Sequence, residues 1–161
     1  MKALVLGIGN TLLQDEGVGV HVVQALREGA YATVAGLESI DYLDGGTLSF
    51  TLAGPIAEAD ALIVIDAAQL QAPPGTLRVL EGSDMDAFVN GNRKASVHEV
   101  GLTDLMAIAR LTDRWPARRA LIAIQPERVD WGETCTPRVA AAIPEACRRA
   151  REILERWGHG A

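Results

Sequence analysis

The segment Ala61-Leu62-Ile63-Val64-Ile65 is apolar at every position and closes on Asp66. A strand with one wet face alternates apolar and polar residues, so a short unbroken run demands cover on both faces. That cover comes from helices above and below a sheet, the arrangement in which strands and helices alternate along the chain. The remainder of the sequence supplies the alternation. Ala3-Leu4-Val5-Leu6 is a second such run, ending in Gly7-Ile8-Gly9-Asn10, and Val18, Val22, Ala25 and Leu26 recur at helical spacing beyond Gln14-Asp15-Glu16. A strand is expected over about 36–43, closed by the turn Asp44-Gly45-Gly46-Thr47, then a helix from Thr47 interrupted by Gly54-Pro55. Pro73-Pro74-Gly75 turns the chain into Thr76-Leu77-Arg78-Val79-Leu80, whose alternation suits an edge strand. The stretch 81–97 has weak periodicity and reads as loop, with at most a short helical turn. Leu102, Leu105, Met106 and Ala109 mark the next helix, 120–124 the next buried strand, and the last helix starts near Pro137, with Pro144 expected to kink or break it. The expected fold is a single α/β domain over 1–161. It is a three-layer sandwich whose twisted, mostly parallel sheet of about five strands carries helices on both faces.

Composition narrows the partners. With 15 Lys+Arg against 21 Asp+Glu, the net charge is −6, and only 4% of residues are aromatic. Such a chain gains no general attraction from phosphate backbones and offers few stacking platforms, so no nucleic-acid partner is expected. The run Arg148-Arg149-Ala150-Arg151 is offset by Glu145, Glu152 and Glu155 and reads as a solvated helix face. The longest apolar run, 59–68, carries Asp60 and Asp66 and is far short of the roughly 20 residues that span a bilayer, so no membrane insertion is expected. The first residues lack the pattern of a secretory signal, and a cytoplasmic location follows as the expectation. Cys135 and Cys147 form neither a disulfide framework nor a CxxC pair, and read as buried thiols.

The glycines Gly7 and Gly9 after a first strand invite a dinucleotide reading, but Leu12 stands where a third glycine belongs. Asp15 and Glu16 would also repel a pyrophosphate, so no nucleotide is expected. The acids are the unusual feature. In an open α/β sheet, ligands bind outside the carboxyl ends of the strands. Glu16 follows the first strand, Asp44 the second and Asp66 the third, so parallel strands bring all three carboxylates to one edge. Converging acids repel one another unless a cation or basic group joins them. His98, in the loop before Leu102, adds an imidazole, and two carboxylates with one imidazole suit a borderline divalent metal. The spacing matches no local metal motif, and each residue has a plainer account. Asp15 and Glu16 suit a helix N-terminus, Asp44 a turn, Asp66 a cap and His98 a surface loop; His21 and His159 suggest no chemistry. Serine-hydrolase, zincin and nucleotide-triphosphatase motifs are absent from the sequence.

Leu6-Gly7-Ile8-Gly9-Asn10 followed by Asp15-Glu16-Gly17-Val18-Gly19 resembles the opening signature of the nickel-iron hydrogenase maturation endopeptidases. The likeness continues in order through Asp44-Gly45-Gly46-Thr47, Ile65-Asp66-Ala67, Ser96-Val97-His98-Glu99-Val100-Gly101-Leu102, Ile124-Gln125-Pro126 and Thr136-Pro137. Cys135 departs from it, since a larger aliphatic residue is usual there. The resemblance implies an enzyme that removes a C-terminal extension from the precursor of the hydrogenase large subunit after nickel insertion. It also implies that the family's metal-contacting positions fall on Glu16, Asp66 and His98, with Asp44 linked to substrate recognition or cleavage. On this reading the nickel arrives with the substrate and serves as a recognition element. Asp66 or Asp44 activates the attacking water, by an aspartic-type or a metal-assisted route, and Asp44-Gly45-Gly46-Thr47 receives the substrate's tail. The alternative is a non-hydrolytic metal- or peptide-binding chaperone using the same acidic rim.

Overall fold

The computed structural model describes residues 1–29, 33–47, 50–91 and 102–160. Among the described residues, five strands form one sheet: β1 (Lys2–Ile8), β2 (Ser39–Gly46), β3 (Ala61–Ala67), β4 (Leu77–Glu81) and β5 (Arg118–Ile124), in the spatial order β2-β1-β3-β5-β4. Pairings β1–β2, β1–β3 and β3–β5 are parallel, whereas β4 runs antiparallel on the edge beside β5. The helices are α1 (Val18–Glu28), α2 (Ala53–Glu58), α3 (Ser83–Gly91), α4 (Leu102–Leu111), α5 (Pro137–Ala140) and α6 (Ile143–His159). This is the expected mostly parallel α/β sandwich.

The unbroken apolar runs are covered on both faces. Every residue of 61–65 is fully buried. Val5, Ile63, Ile65, Ile122 and Ile124 point to one side, where Val22 and Leu26 of α1 and Ala146, Ile153 and Trp157 of α6 pack on them. Leu4, Leu6, Leu62, Val64 and Leu121 point to the other side, against Ile56 of α2, Met85 of α3 and Leu105 and Met106 of α4. Both layers are almost wholly aliphatic; Trp157 brings an indole into the first.

Three expectations need correction. The second strand does not end at residue 43; it runs to Gly46, because Gly7 of β1 still pairs with Asp44 and Ile8 with Gly46 across a register shift. Gly54-Pro55 does not interrupt α2. It lies in the first helical turn, where backbone N–H groups have no intrahelical acceptor and proline costs little. The stretch read as loop contains the nine-residue α3. Its apolar stripe is masked by Asp86, a buried charge that sits beside Met85 and Val89 on the covered side. At Pro144, by contrast, the chain breaks as expected: α5 ends at Ala140, and α6 restarts with the proline in its first turn.

Asp86 is held by three partners from elsewhere on that face. Arg119 of β5 donates to both of its oxygens at 2.9 and 2.7 Å, Arg110 of α4 donates at 2.7 Å and Trp115 at 3.1 Å. On α6, Arg148 and Arg149 pair with Glu145 and Glu152 as expected of a solvated face, but the run does not stay on that face: Ala150 is fully buried and Arg151 half-buried.

Candidate active site at the carboxyl edge of the sheet

The chain leaves β1 to form β2 on one side and β3 on the other, so the strand order reverses between β1 and β3. Loops depart in opposite directions there and open a crevice at the carboxyl ends. Asp44, Gly7 and Ile65 occupy one row across β2, β1 and β3, and Asp66 follows one residue beyond. Glu16 comes to the same edge in a 3-10 turn, Gln14–Gly17, that precedes α1. Three of the four candidate ligand or catalytic residues, Glu16, Asp44 and Asp66, are thus carried to one edge. The fourth, His98, lies outside the described residues.

Glycine makes the tight approach of Glu16 feasible. Gly9 has φ of +139°, and a Cβ there would lie 1.8 Å from the Glu16 carbonyl oxygen. The first part of the glycine signature therefore seats the chain's own acidic turn against the end of β1. Gly9 N–H in turn donates to the Gly46 carbonyl at 2.8 Å, joining this turn to the glycine end of β2.

Asp66 Oδ1 is enclosed, with no hydrogen-bond partner among the described residues, although the residue as a whole keeps some exposure. Burial and, after it, the nearby Glu16 carboxylate raise the Asp66 carboxyl well above the ordinary aspartate value; the Ala67 backbone N–H opposes the rise. A buried oxygen left without a donor, next to a second carboxylate, is costly unless something positive joins them. Among the described residues, no three His, Cys, Asp or Glu side chains gather as a metal-holding group. Asp44 is exposed, and its Oδ1 accepts the Gly46 N–H at 2.8 Å. Gly45 is partly covered and Thr47 exposed beside it.

The neighbouring Asp15 has a different task from the helix-end acid that its position predicts. It is fully buried and accepts from the backbone N–H groups of Glu127, Arg128 and Thr136 at 2.9, 3.0 and 2.7 Å, and from the Thr136 hydroxyl at 2.8 Å. Burial pushes its carboxyl upward, but these hydrogen bonds outweigh burial and hold it below the ordinary value. Asp15 thereby fastens the loop after β5 to the turn carrying Glu16. Sequence reasoning missed this role, because its partners lie more than a hundred residues away. The pairing of an acid with Thr136-Pro137 is legible only once the fold is known. Gln125 joins the loops after β3 and β5 in the same way: its Oε1 accepts from Leu70 N–H at 2.6 Å, and its Nε2 donates to Gln69 Oε1 at 3.0 Å.

Cys135 and Cys147 are free and half-buried. Burial, with the Asp15 charge behind it, pushes the Cys135 thiol up to about 11, so it is a poor nucleophile. His21 sits on α1 with Nε2 enclosed and without a hydrogen-bond partner among the described residues, and His159 is exposed at the end of α6.

Residues 20–153 match the family model of the hydrogenase maturation proteases. The hydrogenase expression/formation protein HupD of Rhodobacter capsulatus is 41% identical over 158 residues, covering 98% of this chain and 73% of that protein. The hydrogenase 2 maturation protease of Escherichia coli K12 is 34% identical over 159 residues, covering 98% and 93%. In structure, the hydrogenase maturating endopeptidase HybD of E. coli superposes with a TM-score of 0.88 at 34% identity, over 98% of this chain and 94% of that one. The [NiFe] hydrogenase maturation protease HybD of Thermococcus kodakarensis follows at 0.77 and 25% identity, over 95% and 99%.

Proposed function

The chain belongs to the hydrogenase maturation protease family, and from that premise we propose that the carboxyl edge of its sheet is where the peptide bond is cut. The protein is an endopeptidase that processes the hydrogenase large subunit, removing the C-terminal extension of the precursor. The finer assignment, that Glu16 and Asp66 test for nickel carried by the precursor, rests on one observation. A buried Asp66 oxygen without a hydrogen-bond partner among the described residues stands beside a second carboxylate at the topological switch point. His98 completes the set by resemblance alone. Carboxylate oxygens with one imidazole hold nickel only moderately, which suits a transient check on an incoming ion better than a resident cofactor.

In the reaction, Asp44 is the group we assign to water activation. It is exposed, so water reaches it, and the Gly46 N–H fixes one of its oxygens. A carboxylate takes the water's proton as the oxygen attacks the scissile carbonyl, and that proton passes to the leaving amine. Asp66 and Glu16 orient the loaded end of the precursor, and Asp44-Gly45-Gly46-Thr47, at the carboxyl end of β2, receives its extended tail. A cytoplasmic location is part of the proposal.

The test is intact-mass spectrometry of a cognate large-subunit precursor, nickel-loaded and nickel-free, after incubation with the protein and with Asp66→Asn and Asp44→Asn. The expected result is loss of one C-terminal peptide from the loaded precursor only, abolished by Asp66→Asn and slowed at least about a hundredfold by Asp44→Asn, within the usual range for general-base loss. Normal cleavage by Asp66→Asn would refute the site. Precursor bound but left intact by the unaltered protein would replace the endopeptidase with a chaperone.

A further inference from the structure

Five large apolar side chains are exposed among the described residues, Leu12, Phe50, Leu111, Val129 and Trp131; Phe50 follows β2 and Leu111 ends α4, whereas the other three share two adjoining loops. Trp131 is 79% exposed, Val129 52% and Leu12 48%. All three lie on the loops that leave β1 and β5 at the carboxyl edge. Their backbones are stitched together: Gly132 N–H donates to the Leu12 carbonyl at 2.9 Å, Gln14 N–H to the Gly132 carbonyl at 2.8 Å, and Leu13 bridges Gly132. Asp15 N–H donates to the Arg128 carbonyl at 3.1 Å, while the buried Asp15 carboxylate holds the loop at both ends. Trp131 is therefore not exposed because its loop is slack. The loop is anchored by a fully buried carboxylate and still presents its indole to water.

A fixed, exposed tryptophan is the residue type that dominates protein interfaces when a partner encloses it. Its surroundings state the chemistry of that partner. Glu127, Asp130 and Glu133 are exposed on the same loop against one Arg128, so the apolar group has an acidic rim. A complementary surface carries an apolar patch bordered by Lys or Arg. The continuity of these loops with Glu16 decides which partner it is, because a substrate protein that brings its tail to Glu16 and Asp66 cannot avoid the adjoining loop.

We propose that Trp131, with Val129 and Leu12, forms the dock for the folded body of the large-subunit precursor, through an apolar patch edged by basic groups near the root of its C-terminal extension. This rests on the endopeptidase reading and adds to it a second, nickel-independent contact that sets affinity and partner choice. Trp131 is a specificity residue and takes no part in bond cleavage.

The experiment measures the dissociation constant of nickel-free precursor for the unaltered protein, Trp131→Ala and Leu111→Ala, with cleavage of loaded precursor followed in parallel. Leu111 is 88% exposed at the end of α4, at the opposite edge of the sheet, and controls for losing any exposed apolar side chain. Trp131→Ala is expected to weaken binding about tenfold or more, to raise KM correspondingly and to leave the melting temperature unchanged; Leu111→Ala is expected to bind as the unaltered protein does. Equal affinity for Trp131→Ala and the unaltered protein, or no binding by either, would overturn the dock. Cleavage with unchanged affinity would sink the dock alone, and tight Trp131-dependent binding without any cleavage would sink the endopeptidase reading alone.

Discussion

Asp15 and Glu16 are adjacent acids with separate duties, and mutation should divide them. Replacing Asp15 with Asn puts an amide N–H₂ among donors that need an acceptor, leaving buried groups unsatisfied. A loss of about 2 kcal/mol is expected, since hydrogen bonds to charged groups contribute about 1.5–3 kcal/mol. Chemical denaturation reads it, with a clearly smaller loss expected for Glu16→Gln, which takes a carboxylate charge away from buried Asp66 and leaves the donors around Asp15 untouched. Gly46 makes a similar case. Its φ of +52° strains any side chain, although a Cβ added there would meet only Asp44 Oδ1 among the described residues, at 3.9 Å. Gly46→Val should therefore destabilise by about 1–3 kcal/mol from backbone strain alone, and Gly46→Asn by clearly less, because asparagine tolerates this region. Equal losses for the two variants in urea titrations would mean that contact, not conformation, selects glycine. The sequence exposes Asp44, Glu16 and Asp66 as candidates through their positions after strands, but gives no hint that Asp15 is a fastening.

At the scale of elements, β1, β3 and β5 are legible because complete burial leaves a complete apolar run. α4 and α6 are legible because half-burial leaves a stripe. α3 is hidden for the same reason in reverse: it buries a charge, and period analysis counts Asp86 as solvent-facing. Its burial depends on Arg119 and Arg110, which belong to β5 and α4. Asp86→Ala removes the counter-charge of the Arg119 guanidinium, whose side chain is only 17% exposed and keeps just the Pro116 and Ala117 carbonyls as acceptors among the described residues. A loss of about 3 kcal/mol is expected, at the low end for breaking a covered ion pair. Burial pushes the Asp86 carboxyl up, but the Arg119 and Trp115 hydrogen bonds and the two arginine charges prevail and hold it below the ordinary value. The unfolded chain, with Asp near about 3.9, then binds the proton first on acidification. The contribution is complete above about pH 5 and fades as pH falls through the folded value. Urea midpoints should decline in that window for the unaltered protein and decline less for Asp86→Asn.

For the whole molecule, the order β2-β1-β3-β5-β4 places β1, β3 and β5 inside the sheet and β2 and β4 at its edges. Amide hydrogen exchange should follow this order. The amides of 61–65 are expected to exchange only through global unfolding, and those of β2 and β4 through smaller openings, as edges generally do; equal protection across all five strands would contradict it. Much of this architecture is local information. Runs and periods in the sequence determine which segments are strands and helices, and the rule that crevices open at carboxyl ends determines that Glu16, Asp44 and Asp66 share an edge. Only the tertiary structure decided the antiparallel seating of β4, the burial of Asp86, the Asp15 clasp on Thr136 and the exposure of Trp131. The physical reason is range. Burial patterns are written by neighbours a few residues apart, whereas a carboxylate's partner or a tryptophan's cover is chosen by groups that folding brings from tens or more than a hundred residues away.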